Sequence, residues 1–246
     1  MRLPRCEINL VVIEIKESLP FISMKTLVCV LGQLRHTELT WPNFKKYVLD
    51  ELGADLLVCG PDTGQKNEYN RCAKKKIMSE ATISADAKCN ADAIIQHRRN
   101  LYLNVPLEYD QYILTRSDHM WNGPHPKLEN DRIWFMNCEF HFGISDRHTV
   151  VPRKHLKALT QDLGTFTHGV GFSNIESYLL YKLKMQGLWG PEVGLGAFPM
   201  YLTDEKGAYR RPDEMHAPYR HFAWPFEIDH GYLSPNGMFC GRINKM

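Results

Sequence analysis

The chain has 246 residues, enough for one large domain or two small ones to bury a hydrophobic core without disulfide or metal staples. Hydrophobic residues make up 43%, charged residues 24% and aromatic residues 11%, a globular composition that excludes disordered, collagen-like and coiled-coil proteins. The 30 Lys and Arg residues against 28 Asp and Glu residues leave a formal charge of +2, which disfavours a protein that binds nucleic acid by neutralising many phosphates.

The cysteines indicate the compartment in which the protein works. All 7 are spread along the chain without a Cys-x-x-Cys pair, so their spacing predicts neither a disulfide framework nor a zinc cluster. Cys29 and Cys59 lie inside apolar runs and are typical of small buried hydrophobic residues. We therefore expect a reducing environment and a cytoplasmic protein.

The first 23 residues are set apart from the rest of the chain. Glu7, Glu14, Lys16 and Glu17 interrupt their apolar run well short of the ~20 apolar residues that a membrane span needs. The stretch also lacks the small-residue cleavage site of a secretory signal. We treat residues 1–23 as an N-terminal extension, expect no membrane span, and place the folded domain at residues 24–246.

A strand, a helix and a second strand open this domain. Residues 25–31 form a short apolar run that ends at Gly32, and residues 55–59 form another. Between them, Thr40 before Trp41-Pro42 predicts a helix with Thr40 as its N-cap and the proline in its first turn. This order predicts a βαβ unit with parallel strands, and so an α/β fold.

Further elements follow a polar stretch at residues 65–84. The predicted strands are 109–115, 132–136 and 149–152, and the predicted helices are 85–103, 153–163 and one that begins at Ser173. Neither Gly-x-Gly-x-x-Gly nor Gly-x4-Gly-Lys-Ser/Thr occurs, which disfavours dinucleotide oxidoreductases and P-loop enzymes. The absence of Gly-x-Ser-x-Gly removes the simplest argument for an α/β-hydrolase.

Charged residues come directly after the strand predicted at 109–115. Open α/β sheets bind ligands at the carboxyl ends of their strands, where Arg116 and Asp118 would lie. The carboxylate of Asp118 can hold a hard divalent cation that bridges two phosphates. Arg116 can contact phosphate oxygens, or it can form a structural ion pair with Asp118. Both interpretations remain open at this point.

Four blocks of sequence carry a resemblance to a known family. They are Gly32-Gln33-Leu34-Arg35 before Trp41-Pro42, then Leu114-Thr-Arg-Ser-Asp118, Phe142-Gly-Ile-Ser-Asp-Arg-His148 and Asn174-Ile-Glu-Ser-Tyr178. In this order, from about Met24 to Gly190, they resemble the nucleotide-sugar glycosyltransferases of GT-A fold, in particular small enzymes of chlorovirus, algal and bacterial glycan synthesis. The resemblance implies a single α/β domain with a Rossmann-type mixed sheet flanked by helices. Its core would cover residues 24–190, and residues 191–246 would form an acceptor or lid region.

The resemblance also implies an activity and roles for individual residues. The enzyme would transfer a monosaccharide from a nucleoside-diphosphate sugar, a UDP-sugar as the first expectation, to a hydroxyl of a glycan or glycoprotein, with Mn²⁺ or Mg²⁺. Glu176 would be the general base of an inverting reaction, and Asp146, which would bind donor-sugar hydroxyls, is the second candidate. The implied donor-binding residues are Gly32, Gln33, Leu34, Arg35, Asp62, Arg98, Arg99, Arg116 and Ser117.

The implied metal ligands are Asp118 and a histidine late in the chain. His230 is preferred over His216 and His221 because it follows an apolar segment, and neutral imidazole is a common metal ligand. The sequence departs from the family pattern at Arg116, where the Asp-x-Asp motif has its first acid. If the chain were viral, the expected location would be the host cytosol.

Two other functions remain open on the sequence. A metal-dependent phosphodiester or pyrophosphate hydrolase would also use Asp118, Asp146 and histidines, and would hold two metals ~3.5–4 Å apart in a dense acid and histidine cluster. A catalytically inactive glycan-binding module is favoured by the missing first acid and by the Glu-Ser pair at residues 176–177.

Overall fold

A computed structural model describes residues 24–79, 91–137, 143–164, 174–190, 192–203 and 206, together with the backbone of 228–233 and 239–243. The extension predicted at residues 1–23 and His216 and His221 lie outside the described residues, as does the side chain of His230. Within the described residues, no helix is both long and apolar enough to cross a membrane.

The strands of the described residues form one large sheet and one small one. In chain order they are β1 (Thr26–Leu31), β2 (Asp55–Gly60), β3 (Lys75–Met78), β4 (Gln111–Thr115), β5 (His119–Trp121), β6 (Ile133–Met136), β7 (Thr149–Pro152), β8 (Val193–Gly196), β9 (Met200–Leu202), β10 (Ile228–Leu233) and β11 (Phe239–Ile243). The large sheet has the order β10-β11-β8-β6-β7-β4-β1-β2-β3, and β5 pairs with β9. Strands β4, β1, β2 and β3 are mutually parallel, whereas β7 runs antiparallel to both β4 and β6.

The helices cover both faces of this sheet. They are α1 (Thr37–Phe44), which continues as a π-helical segment (Lys45–Asp50), α2 (Glu68–Cys72), α3 (Ala91–Asn104) and α4 (Ile175–Met185), with 3-10 turns at Arg153–His155 and Gln161–Leu163. The predicted α/β fold, with a mixed sheet flanked by helices, is confirmed, and so is the parallel βαβ unit of β1, α1 and β2.

Three predictions of local structure are wrong. Helix α1 begins at Thr37 rather than near Trp41, because His36 adopts a left-handed conformation with φ 52° and its carbonyl oxygen already accepts from the amides of Leu39 and Thr40. Pro42 therefore lies inside the helix.

The helix predicted at 153–163 is two separate 3-10 turns, because the backbone of Thr160, with φ −131° and ψ −84°, leaves the helical region. Strand β3 and helix α2 were missed in the polar stretch. They are short, and in β3 only Ile77 is buried.

Alternating side chains of the parallel strands supply two hydrophobic cores. On one face Leu27 and Cys29 of β1 pack with residues of α3 and α4, and on the other face Val28 and Val30 pack with residues of α1 and α2. Because β1 is buried on both faces, its sequence is continuously apolar rather than alternating. The strand ends, rather than their middles, are therefore the places where this sheet can present polar groups.

Two histidines lie in the core on the α1 side of the sheet. His148 Nε2 is 3.1 Å from His125 Nε2, and His148 Nδ1 is 3.0 Å from the Thr115 hydroxyl. The Pro126 carbonyl oxygen can only accept, so His125 Nδ1 donates to it across 2.7 Å and His125 Nε2 accepts from His148. Burial lowers the pKa of His125 to about 4, against the opposing effect of the Pro126 hydrogen bond. Burial also holds the pKa of His148 well below its ordinary value, with His125 and His119 acting in the same direction. Both rings are neutral at pH 7.

We expect the stability of the protein to fall below about pH 6.5. The folded pKa of His125 is below its unfolded value of 6.5, so the unfolded chain binds protons first as the pH falls. His125 alone removes about 2 kcal/mol of unfolding free energy between about pH 7.5 and pH 5. Urea denaturation at the two pH values measures this loss, and His125→Gln, which keeps one donor and one acceptor, should reduce it. An equal loss in both proteins would contradict the assignment.

Candidate functional site

A cavity of about 420 Å³ lies at the carboxyl ends of β1 and β4 and against helix α3. The parallel pairing of β1 with β4 brings the segments that follow both strands to one edge of the sheet. Predicted residues that line this cavity come from four separate parts of the chain, and they are Gly32, Gln33, Arg35, Arg98, Arg116 and Asp146. The structure thus brings six sequence-predicted residues together around one space.

Ser117 fixes the loop that carries Arg35. Its hydroxyl accepts from the Arg35 amide at 2.8 Å and donates to the Arg35 carbonyl at 3.2 Å. The Ser117 side chain is buried, so its predicted contact with the donor is replaced by a contact with the loop. The following residue is His36, whose positive φ marks a constrained backbone beside the cavity. Arg35 is therefore presented by a loop that is held at both of its main-chain polar groups.

Arg116 and Asp118 form a bidentate ion pair. Arg116 Nε lies 2.9 Å from Asp118 Oδ1, and Arg116 Nη2 lies 2.6 Å from Oδ2. The Asp118 side chain is 3% exposed and that of Arg116 is 29% exposed. Burial by itself raises the pKa of the Asp118 carboxyl, but the charge and hydrogen bonds of Arg116, with contributions from His119 and Arg147, outweigh it and bring the pKa to about 2. Arg116 lines the cavity, and both oxygens of the Asp118 carboxylate accept hydrogen bonds from its guanidinium.

Arg98 is the most deeply buried cation of the site. It is 1% exposed, and its guanidinium donates to the main-chain carbonyls of Leu159 and Asp146, both at 3.3 Å. Burial lowers the pKa of Arg98, and the negative charge of Asp146 acts in the opposite direction. Its neighbour Arg99 is exposed and is not among the residues that line the cavity. The structure therefore places Arg98, and not Arg99, at the cavity, a choice that the sequence left open.

His97 lines the same cavity and was not predicted. Its Nδ1 lies 2.9 Å from the Ser79 hydroxyl, which also accepts from Asn100 at 2.8 Å. The edge of its ring, at Cδ2 and Nε2, faces Gly32. Burial lowers the pKa of this imidazole, which favours its neutral form. His97 lies four residues after Ala93 and three after Ile94, so the three share one face of α3. This helical spacing is the sequence signal that could have predicted His97 at the cavity.

A second cavity, of about 520 Å³, adjoins the first and shares Gly32 and Pro61 with it. The predicted residues Leu34 and Asp62 line this space rather than the first one. Asp62 Oδ1 accepts from the Gly64 amide at 2.9 Å, which shapes the loop after β2. A Cβ on Gly60 would lie 2.2 Å from the Gly32 carbonyl oxygen, so the crossing of these two loops requires glycine at residue 60.

Glu176 is placed beside the segment that carries Asp146. The Glu176 carbonyl accepts from the Ile144 amide at 3.1 Å, and a Cβ on Gly143 would lie 2.0 Å from the Glu176 carbonyl group. Asn174 caps the helix, and its side chain accepts from the Ser177 amide at 2.8 Å. Glu176 is 7% exposed and does not line the first cavity among the residues described there. The sequence block that contains Asp146 and the block that contains Glu176 are therefore in direct contact, through the backbone of Glu176.

The described residues do not assemble the predicted metal centre. Within them no group of three or more His, Cys, Asp or Glu residues is arranged to hold an ion. Both oxygens of Asp118 are bound to Arg116, and a cation at this carboxylate would lie close to a positive guanidinium. The side chain of His230, the second predicted ligand, lies outside the described residues. The donor set around Asp118 therefore fits a guanidinium better than a divalent ion.

Comparison with solved structures finds similarity of fold. The chain is similar to a Drosophila β-1,4-galactosyltransferase 7 mutant in complex with manganese, UDP-Gal and xylobiose, with 11% identity and a TM-score of 0.44 over 90% of this chain and 94% of the other. No family model matches the chain, and no curated protein matches it. A likeness of this size assigns neither an activity nor a ligand to this chain.

We expect Ser117→Ala to loosen the loop that carries Arg35. The substitution removes two hydrogen bonds to main-chain groups and should cost about 1 to 2 kcal/mol of unfolding free energy. Hydrogen exchange of the Arg35 amide should become faster, because its acceptor is lost. Ser177→Ala is the matched control, since that hydroxyl bonds to the Asn174 carbonyl in helix α4 instead. Unchanged exchange at Arg35 would show that Ser117 does not hold the loop.

Proposed function

We propose that the protein is a glycosyltransferase that moves a monosaccharide from a nucleoside-diphosphate sugar, with UDP as the expected nucleotide, to a hydroxyl of a glycan. The observation that carries this proposal is the cavity at the carboxyl edge of the sheet, which is lined by three arginines from three segments and by Asp146. Guanidinium groups match phosphate oxygens in charge and in bidentate geometry. A carboxylate in the same space suits the hydroxyls of a sugar.

The two adjoining cavities fit the parts of such a donor. The diphosphate and the sugar would occupy the first cavity, where Arg35, Arg98 and Arg116 meet Asp146. The nucleoside would extend past Gly32 into the second cavity, where Asp62 and the polar groups of the loop after β2 are available to it. Together the cavities give the donor an elongated site along the edge of the parallel strands.

The proposed reaction is a single displacement at the anomeric carbon of the donor sugar. The acceptor oxygen forms the new bond as the bond from carbon to phosphate oxygen breaks, and the electron pair leaves on the diphosphate. Glu176 would take the acceptor's proton, and the arginines would offset the negative charge that develops on the leaving group. Donor and acceptor held together convert a bimolecular encounter into an oriented reaction. A divalent metal in this family would supply the same neutralisation, but no step here is assigned to one.

Donor turnover is the direct test of this function. We expect one nucleotide sugar from a panel of UDP, GDP and dTDP sugars to be hydrolysed slowly without acceptor and transferred with a glycan acceptor, as measured by release of the nucleoside diphosphate. Saturable binding of a glycan without any effect of nucleotide would instead support the inactive glycan-binding module. Cleavage of simple phosphodiesters or pyrophosphate would support the hydrolase.

Two matched variants separate the roles of Glu176 and Asp146. If Glu176 is the base, Glu176→Gln lowers kcat by about 10²- to 10⁴-fold while the affinity for the nucleoside diphosphate stays unchanged. Asp146→Asn should raise KM for the donor sugar more than it lowers kcat, since Asp146 lines the donor cavity. Steady-state kinetics and UDP titration measure both quantities. Full turnover in Glu176→Gln together with loss of kcat in Asp146→Asn would move the base to Asp146.

A further inference from the structure

Arg116 occupies the position at which the resemblance places the first acid of the Asp-x-Asp motif, and it takes both oxygens of the remaining acid, Asp118. We infer that the diphosphate of the donor is bound by Arg35, Arg98 and Arg116, that Asp118 is a positioning residue for Arg116, and that nucleotide binding needs no divalent cation. This inference rests on the proposed function, because it concerns the diphosphate of the same donor. It departs from the metal-dependent site expected from the sequence.

The Arg116–Asp118 pair has the geometry of a positioned anion-binding group. Asp118 uses the Nε edge of the guanidinium, with contacts of 2.9 and 2.6 Å, and this fixes the plane of the group. The carboxylate is almost fully buried, whereas the guanidinium is partly exposed and lines the cavity. An oriented guanidinium loses less conformational entropy on binding a phosphate than a free one does.

Arg98 is the second and strongest argument that the cavity binds an anion. Its guanidinium donates to two neutral carbonyl oxygens, those of Leu159 and Asp146, and burial disfavours its charge. A buried guanidinium without a direct carboxylate partner is costly to the fold unless an anion compensates it. Because Arg98 lines the cavity, a diphosphate bound there would supply that compensation. The free-energy cost of burying this guanidinium is then explained by its role in binding an anion, not by a contribution to the stability of the fold.

Arg35 supplies the third guanidinium of the cluster. Its main chain is held by Ser117, the residue between Arg116 and Asp118, so the loop after β1 and the segment after β4 are tied together. Its side chain donates to Gln33 at 3.3 Å and remains partly exposed at the cavity. The three guanidinium groups thus come from a loop, a helix and a strand end whose relative positions are fixed by hydrogen bonds. All three side chains line the cavity in which the diphosphate would bind.

Calorimetric titration of the full-length protein with UDP, GDP and dTDP tests the inference. Each titration is performed in EDTA and again with excess Mn²⁺ or Mg²⁺. We expect the preferred nucleotide to bind in EDTA with a Kd within about threefold of its value with metal. Binding that is detectable only with metal would overturn the inference and leave the proposed function standing. Failure of all three nucleotides to bind in either condition would overturn both.

Substitutions identify the groups that replace the metal. Arg35→Ala, Arg98→Lys and Arg116→Lys should each weaken UDP binding in EDTA by about tenfold or more, because bidentate contacts to phosphate are lost. Arg153→Ala is the matched control, because Arg153 lies at the other end of β4, where its amide donates to the Asp110 carbonyl. Arg35 and Arg116 are only partly buried, so their variants remain informative if the variant of the fully buried Arg98 unfolds. Unchanged UDP affinity in all three variants would overturn the inference.

Asp118→Asn separates the positioning role from metal ligation. Asparagine keeps one acceptor oxygen for Arg116, so UDP binding in EDTA should weaken only about two- to fivefold and should stay insensitive to Mn²⁺. Restoring the carboxylate with Asp118→Glu should recover part of that loss. If Asp118 ligates a metal, the wild-type protein shows a Mn²⁺-dependent gain in affinity that Asp118→Asn abolishes. Melting curves confirm that each variant is folded.

Discussion

The parallel pairing of β1 with β2 and β4 is the constraint on which the rest of the molecule depends. Leu31 pairs with Cys59, and Val30 pairs with Thr115, so the carboxyl ends of β1, β2 and β4 lie side by side at one edge of the sheet. Each of these strands is buried on both faces, and its middle residues are hydrophobic, with polar side chains such as Gln111 and Thr115 only at its ends. The charged residues that line the cavity come from the segments that follow β1 and β4, from helix α3 and from the segment of Asp146.

Close backbone contacts keep those segments together. The Gly32 carbonyl oxygen lies so close to Gly60 that a Cβ at residue 60 would clash with it. The Glu176 carbonyl group lies similarly close to Gly143, where a Cβ would also clash. Ser117 joins the loop of Arg35 to the end of β4. These contacts involve main-chain groups and one buried serine hydroxyl, so they position the loops independently of any ligand. A site formed in this way is largely organised before a substrate arrives, which lowers the entropic cost of binding.

Electrostatics explains why a near-neutral chain can carry such a site. The cations around the cavity are balanced nearby, Arg116 by Asp118 and Arg98 in part by Asp146. The balance is unequal, since Asp118 is held in its ionised form by Arg116 whereas the guanidinium of Arg98 is bonded to carbonyl oxygens. On the opposite face of the sheet, buried His125 and His148 are kept neutral by burial. The charged groups of the site thus lie at the strand ends and on α3, whereas these two core histidines are neutral.

The sequence by itself determined the α/β class and the first parallel strand pair, because apolar runs and the polar residues after them are local patterns. Most of the predicted groups around the cavity were instead implied by the resemblance of four sequence blocks to a known family. Only the tertiary structure decided how those groups are used. Arg98 and Arg99 are adjacent, but successive helical residues point about 100° apart, so α3 buries one and exposes the other. Likewise, the choice of Asp118 between a cation and Arg116 depends on side-chain distances of less than 3 Å, which no spacing along the chain specifies.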